Sequence, residues 1–216
     1  MNSIIIPNLK NVDDQILWIC NNGTKVQYST KQVWRDLRPI VDTKRWYHVV
    51  WFTHMIPKHA FIFWLAIWDG LSTKVRVQKW NPMVDDKCCL CDQVSESVEH
   101  LFFRCDYSKV LWERMKSKLL FKGLTDKLQE MVETLSNYPY KNQIWNIINR
   151  LVIAAAVYFV WQERNLRILQ GKKRNVQDLV EYAQSYIRVK MLTFKVNNSA
   201  AVAKAEEIWG VQFKRK

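Results

Sequence analysis

The chain is short of the residues that punctuate β-rich folds, with five glycines and five prolines in 216 positions. Sandwiches and barrels need frequent tight turns built from those residues, so their scarcity disfavours such folds and points to helices. Acidic residues are also in deficit, 20 against 33 basic ones, which leaves a net charge of +13 and a pI near 9.6. That imbalance predicts attraction to polyanions, nucleic acid first and anionic membrane second. A Gly-rich phosphate loop is missing, which removes the usual nucleotide-binding signatures. Long hydrophobic runs are missing too. The most apolar stretch, Leu151 to Trp161, is eleven residues flanked by Arg150 and Glu163-Arg164. That is too short to span a bilayer and reads as a buried helix, so no membrane partner is expected. The opening MNSIIIPNLK lacks a basic region followed by an apolar run, so no signal peptide is expected. Without a secretory route, the sequons Asn22-Gly23-Thr24 and Asn197-Asn198-Ser199 carry no weight.

Apolar residues, by contrast, are plentiful. A hydrophobic fraction of 49% with eleven tryptophans excludes a disordered chain and allows a sizeable core, in one larger domain or two small ones. Most tryptophans fall at helical spacing among Phe and Ile, so they are expected mainly in that core, with a base-stacking platform as the alternative.

The five cysteines are distributed unevenly, with four between 88 and 105 and only Cys20 remote. This is a reducing-compartment pattern, nucleus or cytoplasm, and not a disulfide framework. Cys88, Cys91, His100 and Cys105 fit C-x2-C-x8-H-x4-C. A C-x2-C turn brings two thiolates to one ion, and a histidine and a cysteine close the tetrahedron from the far side of a short loop. Three thiolates and an imidazole leave no open position, so the set predicts one structural Zn2+ and no catalytic metal. Cys89 is left as a buried neighbour or a spare ligand.

Along the chain, residues 1–14 read as an irregular lead-in. Gln15 to Cys20 and Lys25 to Tyr28 flank Asn22-Gly23 and predict a β-hairpin. Ser29 or Thr30 caps a helix to about Leu37, which Pro39 ends. Pro57 suits a first helical position and Gly70 a helix end, with Phe61 to Trp68 apolar nearly all round. Ser72 or Thr73 caps a shorter helix ending near Trp80. Ser97 to Phe103 starts a helical segment, and Asp106 caps a helix bearing Tyr107, Val110, Leu111, Met115 and Leu119. Leu124 to Leu135 outlines another. A long helix runs from about Lys141 to Gln170, with Gly171 behind it, and Asn175 caps its antiparallel partner through Phe194. A last short helix follows Ser199. The expected fold class is mainly α, with an N-terminal hairpin and a C-terminal helical hairpin. The best boundary lies near Pro139 and separates 1–138 from 139–216.

Val50-Trp51, Ile56-Pro57-Lys58, Phe61, Phe63-Trp64-Leu65 and Gly70-Leu71-Ser72-Thr73 precede Cys88 and Cys91. Glu96, Glu99-His100-Leu101-Phe102-Phe103 and Cys105 follow. Together they resemble the zinc-binding domain found after the reverse transcriptase in plant non-LTR (LINE-type) retrotransposons, over roughly residues 32–115. Trp18, Gly23, Tyr28-Ser29-Thr30 and Trp34 resemble its lead-in, and Tyr158 to Asn165 a helix common behind it. Many members carry another residue, often proline, at Cys89, so the resemblance leaves the choice between Cys88 and Cys89 open. It implies a nucleic-acid-binding module holding template RNA or target DNA, and brings no enzyme with it. Met83-Val84-Asp85-Asp86 is superficially similar to a polymerase metal box, but nothing upstream could build the palm it needs, so it reads as a polar loop.

Lys74, Arg76, Lys79, Lys87, Arg104, Lys109, Arg114, Lys116 and Lys118 surround the metal motif in sequence and are candidate phosphate contacts. Solvated helix faces are the alternative, which the unbalanced basic excess disfavours. The cluster Lys172-Lys173-Arg174 is a candidate second contact or nuclear-import patch, although a helix end favours positive charge regardless. The competing class is a protein-interaction scaffold, docking a partner through the C-terminal helices.

Overall fold

A computed structural model describes residues 15–39, 44–121, 123–137 and 143–216. The predicted lead-in over 1–14 and the boundary near Pro139 lie outside these residues. Contacts divide the chain elsewhere, into Met1–Thr43 and Lys44–Lys216.

In the first unit, β1 (Leu17–Ile19) pairs antiparallel with β2 (Lys25–Gln27), Trp18 opposite Val26. The reversal places Gly23 at φ 80°, a conformation that only glycine adopts without strain. Helix α1 (Thr30–Leu37) starts where the Ser29 hydroxyl accepts from the Gln32 amide. Asp36 ties the two pieces together: its carboxylate accepts from Trp18 Nε1 at 2.9 Å and from the Asn21 amide at 3.0 Å. No described side chain in this unit is fully buried, so polar ties of this kind hold it together.

The second unit is helical and built around one long helix. It comprises α2 (Tyr47–Val50), α3 (Pro57–Ile67), α4 (Lys74–Gln78), a π-helix (His100–Arg104), α5 (Asp106–Lys116), α6 (Leu128–Asn137), α7 (Ile144–Gln170), α8 (Val176–Met191) and α9 (Ala200–Trp209). Helix α7 packs against α3, α5, α8, α9 and the π-helix. It is buried without a break from Ile147 to Val157, and Ala154-Ala155-Ala156 lets neighbouring backbones approach closely. By length and composition α7 is apolar enough to cross a membrane, but 78% of its most apolar window is buried inside the protein. That is the arrangement of a core helix. The eleven-residue count from the sequence was too short because Ile144, Ile147 and Ile148 extend the same buried face.

Helix boundaries follow the local chemistry. Pro57 occupies the first turn of α3. Gly171, at φ 64°, ends α7 with its amide on the Arg167 carbonyl. The Asn175 side chain accepts from the Gln177 amide and starts α8, and the Ser199 hydroxyl does the same for α9 through Val202. A two-residue parallel pairing of β3 (Lys195–Val196) with β4 (Lys214–Arg215) is too short to leave a sequence signal.

The tryptophans follow the expectation in part. Trp112 and Trp209 are fully buried and Trp46, Trp64, Trp145 and Trp161 pack half-buried against the core, whereas Trp34, Trp51, Trp68 and Trp80 are exposed. A helix presents only one stripe to its neighbours, and α3, apolar nearly all round, turns Phe61 and the adjoining Trp68 outward.

His59 on α3 is buried among rings, with Tyr158 at 4.2 Å, Tyr186 at 5.2 Å and Phe159 at 5.4 Å. Its ring nitrogens meet no hydrogen-bond partner among the described residues. Burial, helped by the charge of Lys58, pushes its pKa from 6.5 down to about 3. A depressed folded-state pKa means the unfolded chain takes the proton first. The contribution of neutral His59 is therefore complete above pH 6.5 and fades as the pH falls toward 3, at up to about 1.4 kcal/mol per pH unit. His59→Phe should flatten this part of the acid sensitivity. Denaturation midpoints measured from neutral to mildly acidic pH check it, and an unchanged slope contradicts it.

Candidate metal centre

Two short segments build the site. The first is a reversal in which Lys87 and Ser95 form an isolated antiparallel bridge and the Cys88 amide donates to the Val94 carbonyl at 2.7 Å. Within it the Asp92 amide returns to the Cys88 carbonyl at 2.7 Å, and Asp92 takes φ 58° to close the turn. The Leu90 amide points at Cys88 Sγ from 3.4 Å, a donor that favours a thiolate there. The second segment is the π-helix. Five positions along an α-helix, two side chains lie about 140° apart. The wider π turn, closed by the Cys105 amide on the His100 carbonyl at 2.8 Å, lets His100 and Cys105 face the same side.

These segments bring together the four side chains selected from the sequence. The ligand atoms of Cys88, Cys91, His100 and Cys105 lie within 4.8 Å of one another. Cys88 Sγ and Cys105 Sγ are 3.9 Å apart, and Cys91 Sγ is 3.3 Å from His100 Nε2. Zn–S bonds of about 2.3 Å and Zn–N bonds of about 2.0 Å imply tetrahedral edges of about 3.5–3.8 Å. The cluster therefore fits one structural zinc, which when bound supplies a crosslink between the knuckle and the start of α5. Cys88 Sγ lies within S–H donating reach of Cys105 Sγ, a contact that raises the Cys88 pKa and lowers that of Cys105. Burial lowers the pKa of His100 against the opposing pull of Asp106 and Glu96, keeping the imidazole neutral as a metal ligand must be.

Cys89 stands outside the cluster. Its Sγ sits 3.9 Å from the Arg164 carbonyl, and burial together with Glu96 pushes its pKa up to about 12. The adjacent-cysteine ambiguity thus resolves toward Cys88. Asp106 occupies the first turn of α5 and not the cap position, which Cys105 holds without a side-chain hydrogen bond. Asp106 therefore acts through its charge, on the helix dipole and on His100, and not as a cap.

Sequence reasoning missed the layer behind the ligands. Glu96 is fully buried. Its Oε1 accepts from Arg164 Nε at 3.0 Å, Arg164 Nη2 at 2.9 Å and the Lys74 amide at 3.0 Å, while Oε2 faces the Cys89 amide at 3.4 Å. Glu96 thereby caps α4 in place of Thr73, whose side chain makes no cap bond. Arg164 also donates to the Ser72 carbonyl at 2.8 Å. One turn further along α7, Arg167 reaches the knuckle backbone. The signals for this layer were the place of Glu96 among the residues that carry the family resemblance and the likeness of Tyr158 to Asn165 to a trailing helix; neither gave the pairing.

The candidate phosphate contacts divide into two groups. Lys74 pairs with Asp85 at 3.7 Å, Lys116 with Asp126 at 3.8 Å, and Lys118 donates to the Ile208 carbonyl at 3.2 Å. Arg76 donates to the Asp69 carbonyl. Lys79, Lys87, Arg104, Lys109 and Arg114 are exposed and make no ion pair among the described residues. In the trailing cluster Lys172 and Lys173 are exposed, while Arg174 is held by Glu163 at 2.8 Å.

No curated protein and no solved structure matches the chain. Residues 28–112, which contain all four ligand side chains, match the family model described as zinc-binding in reverse transcriptase, and the match supports a zinc-binding, reverse-transcriptase-associated domain over that stretch.

Proposed function

We propose that this chain is a non-catalytic nucleic-acid-binding module of a LINE-type retroelement, working in the nucleus or cytoplasm and binding no membrane. The observation that carries the reading is the set of five exposed, unpaired cations, Lys79, Lys87, Arg104, Lys109 and Arg114, on the segment that the zinc cluster holds together. Phosphate backbone is the partner such cations suit. Exposed Trp68 and Trp80, ahead of the metal motif in sequence, offer faces on which bases can stack. The non-catalytic part rests on Asp85 and Asp86, which the loop itself employs. Asp85 accepts from the Lys87 amide at 3.2 Å and pairs with Lys74, and Asp86 accepts from Ser95.

Anisotropy titrations with single-stranded RNA, single-stranded DNA and duplex DNA test the reading. Five phosphate contacts predict a log–log salt slope of about −3.5 to −4.5, hence roughly a 100- to 500-fold loss of affinity between 50 and 200 mM salt. Replacing all five cations by Gln should abolish binding. Absent or salt-insensitive binding contradicts the proposal.

One observation favours the second reading, a protein-interaction scaffold. An apolar groove of about 530 Å³ runs between Met55-Ile56-Pro57 and Tyr182, Tyr186 and Val189 of α8. Salt-insensitive self-association or partner capture is the result that this reading predicts.

A further inference from the structure

We infer that the metal centre extends beyond the matched stretch, and that Arg167 of α7 is a positioning residue for the zinc. The inference rests on the zinc reading of the four-residue cluster. Arg167 Nη1 donates to the carbonyls of Cys89 and Leu90, at 3.2 and 3.0 Å. Those are the two residues between the ligands Cys88 and Cys91. Its Nε donates to Glu163 Oε1 at 2.8 Å, and its guanidinium lies over the Tyr107 ring at 4.4 Å. Tyr107 stands two positions after the ligand Cys105, so this one side chain touches both limbs of the metal site.

The side chain is itself held in place. Glu163 is fully buried, and its second oxygen takes Arg174 Nε at 2.8 Å while its first also takes the Arg174 amide at 3.0 Å. The Tyr107 hydroxyl donates to the Arg174 carbonyl at 3.0 Å, closing a ring of contacts from knuckle to α7 to α5. The guanidinium fork is what this arrangement needs. Nη1 donates to two carbonyls while Nε holds a carboxylate and the flat face lies on a phenol, which an ammonium cannot reproduce. Charge points the same way. Three thiolates, an imidazole and Zn2+ sum to −1, and Arg167 and Arg174, sharing the one carboxylate of Glu163, leave a net +1 beside it. The Arg167 bonds to the knuckle carbonyls fix the backbone that aims Cys88 and Cys91, as outer-shell partners do at other metal sites.

The test uses the full chain, loaded with zinc and titrated against a chromophoric chelator. Arg167→Lys and Arg167→Met are compared with Arg188→Lys, which alters an α8 arginine bonded to the Trp209 carbonyl. Both Arg167 variants should hold zinc about 10- to 100-fold more weakly and release it faster, with helical content retained. Their Co2+ derivatives should show altered visible bands, whereas Arg188→Lys should match the parent protein. Should Arg167→Met fail to fold, Arg167→Lys, which keeps the charge and most of the length, decides alone. Affinities within twofold of the parent, or an equal loss in Arg188→Lys, overturn the inference and leave the zinc reading intact. A parent protein that holds no zinc overturns both.

Discussion

Cys105→Ser is expected to release the metal and to strip hydrogen-exchange protection from the knuckle through the first turns of α5. Cys105 is fully buried and joins two elements: its amide closes the π turn and its carbonyl accepts from the Lys109 amide at 2.8 Å. Leu101, Phe102 and Phe103 are buried just ahead of it. A serine hydroxyl does not ionise near neutral pH and is a poor zinc ligand, so the substitution removes the crosslink as well as the sulfur. Structural zinc in small domains contributes about 10–16 kcal/mol of apparent binding free energy. Whole domains are stable by about 5–15 kcal/mol, so the loss should take most of the stability of this segment with it. Chelator treatment of the unmutated chain should reproduce the same exchange pattern. Cys89→Ser, outside the cluster, should change stability by no more than about 1 kcal/mol. Protection that persists in Cys105→Ser would mean that apolar packing alone holds the π-helix.

Glu96→Ala should be the most damaging substitution among residues that are not metal ligands. It leaves Arg164, buried at the end of α7, without its counter-charge, and orphans the amide that starts α4. Breaking one side of a buried pair costs about 3–5 kcal/mol, far more than an exposed pair is worth. Replacing both partners should cost less than the single change, because no uncompensated charge remains. Glu96→Ala, Arg164→Met and the double variant, compared by chemical denaturation, measure that difference. A loss below about 1 kcal/mol for Glu96→Ala would show that water reaches the pair and satisfies it.

What the sequence made legible were the features that local chemistry dictates. The Asn-Gly hairpin, the Ser29 and Asn175 caps, the break at Ser199 before α9, Pro57 at the start of α3 and Gly171 behind α7 are each set by residues a few positions apart. The four-ligand cluster belongs with them, since metal geometry imposes its spacing. The π-helix was harder to see, although an H-x4-C spacing, off the α-helical period, is its signature. The partnership of Glu96 with Arg164 and the reach of Arg167 to the cysteine turn could not be read. Glu96 and Arg164 are 68 positions apart, and charged residues in a sequence look like solvated surface until a fold buries them. Helical spacing misled over Trp34, Trp51, Trp68 and Trp80, because it shows that a residue shares a stripe without showing that the stripe is covered. Lys74 and Arg76 illustrate the same limit for charge, being basic, near the motif and already engaged by Asp85 and by the Asp69 carbonyl.

Native mass spectrometry of the purified chain, alongside Cys88→Ser and Cys89→Ser, tests the central claim most directly. The account predicts one zinc per chain in the parent protein and in Cys89→Ser, and none in Cys88→Ser. A folded parent chain without zinc, or zinc lost with Cys89 and kept without Cys88, would contradict it.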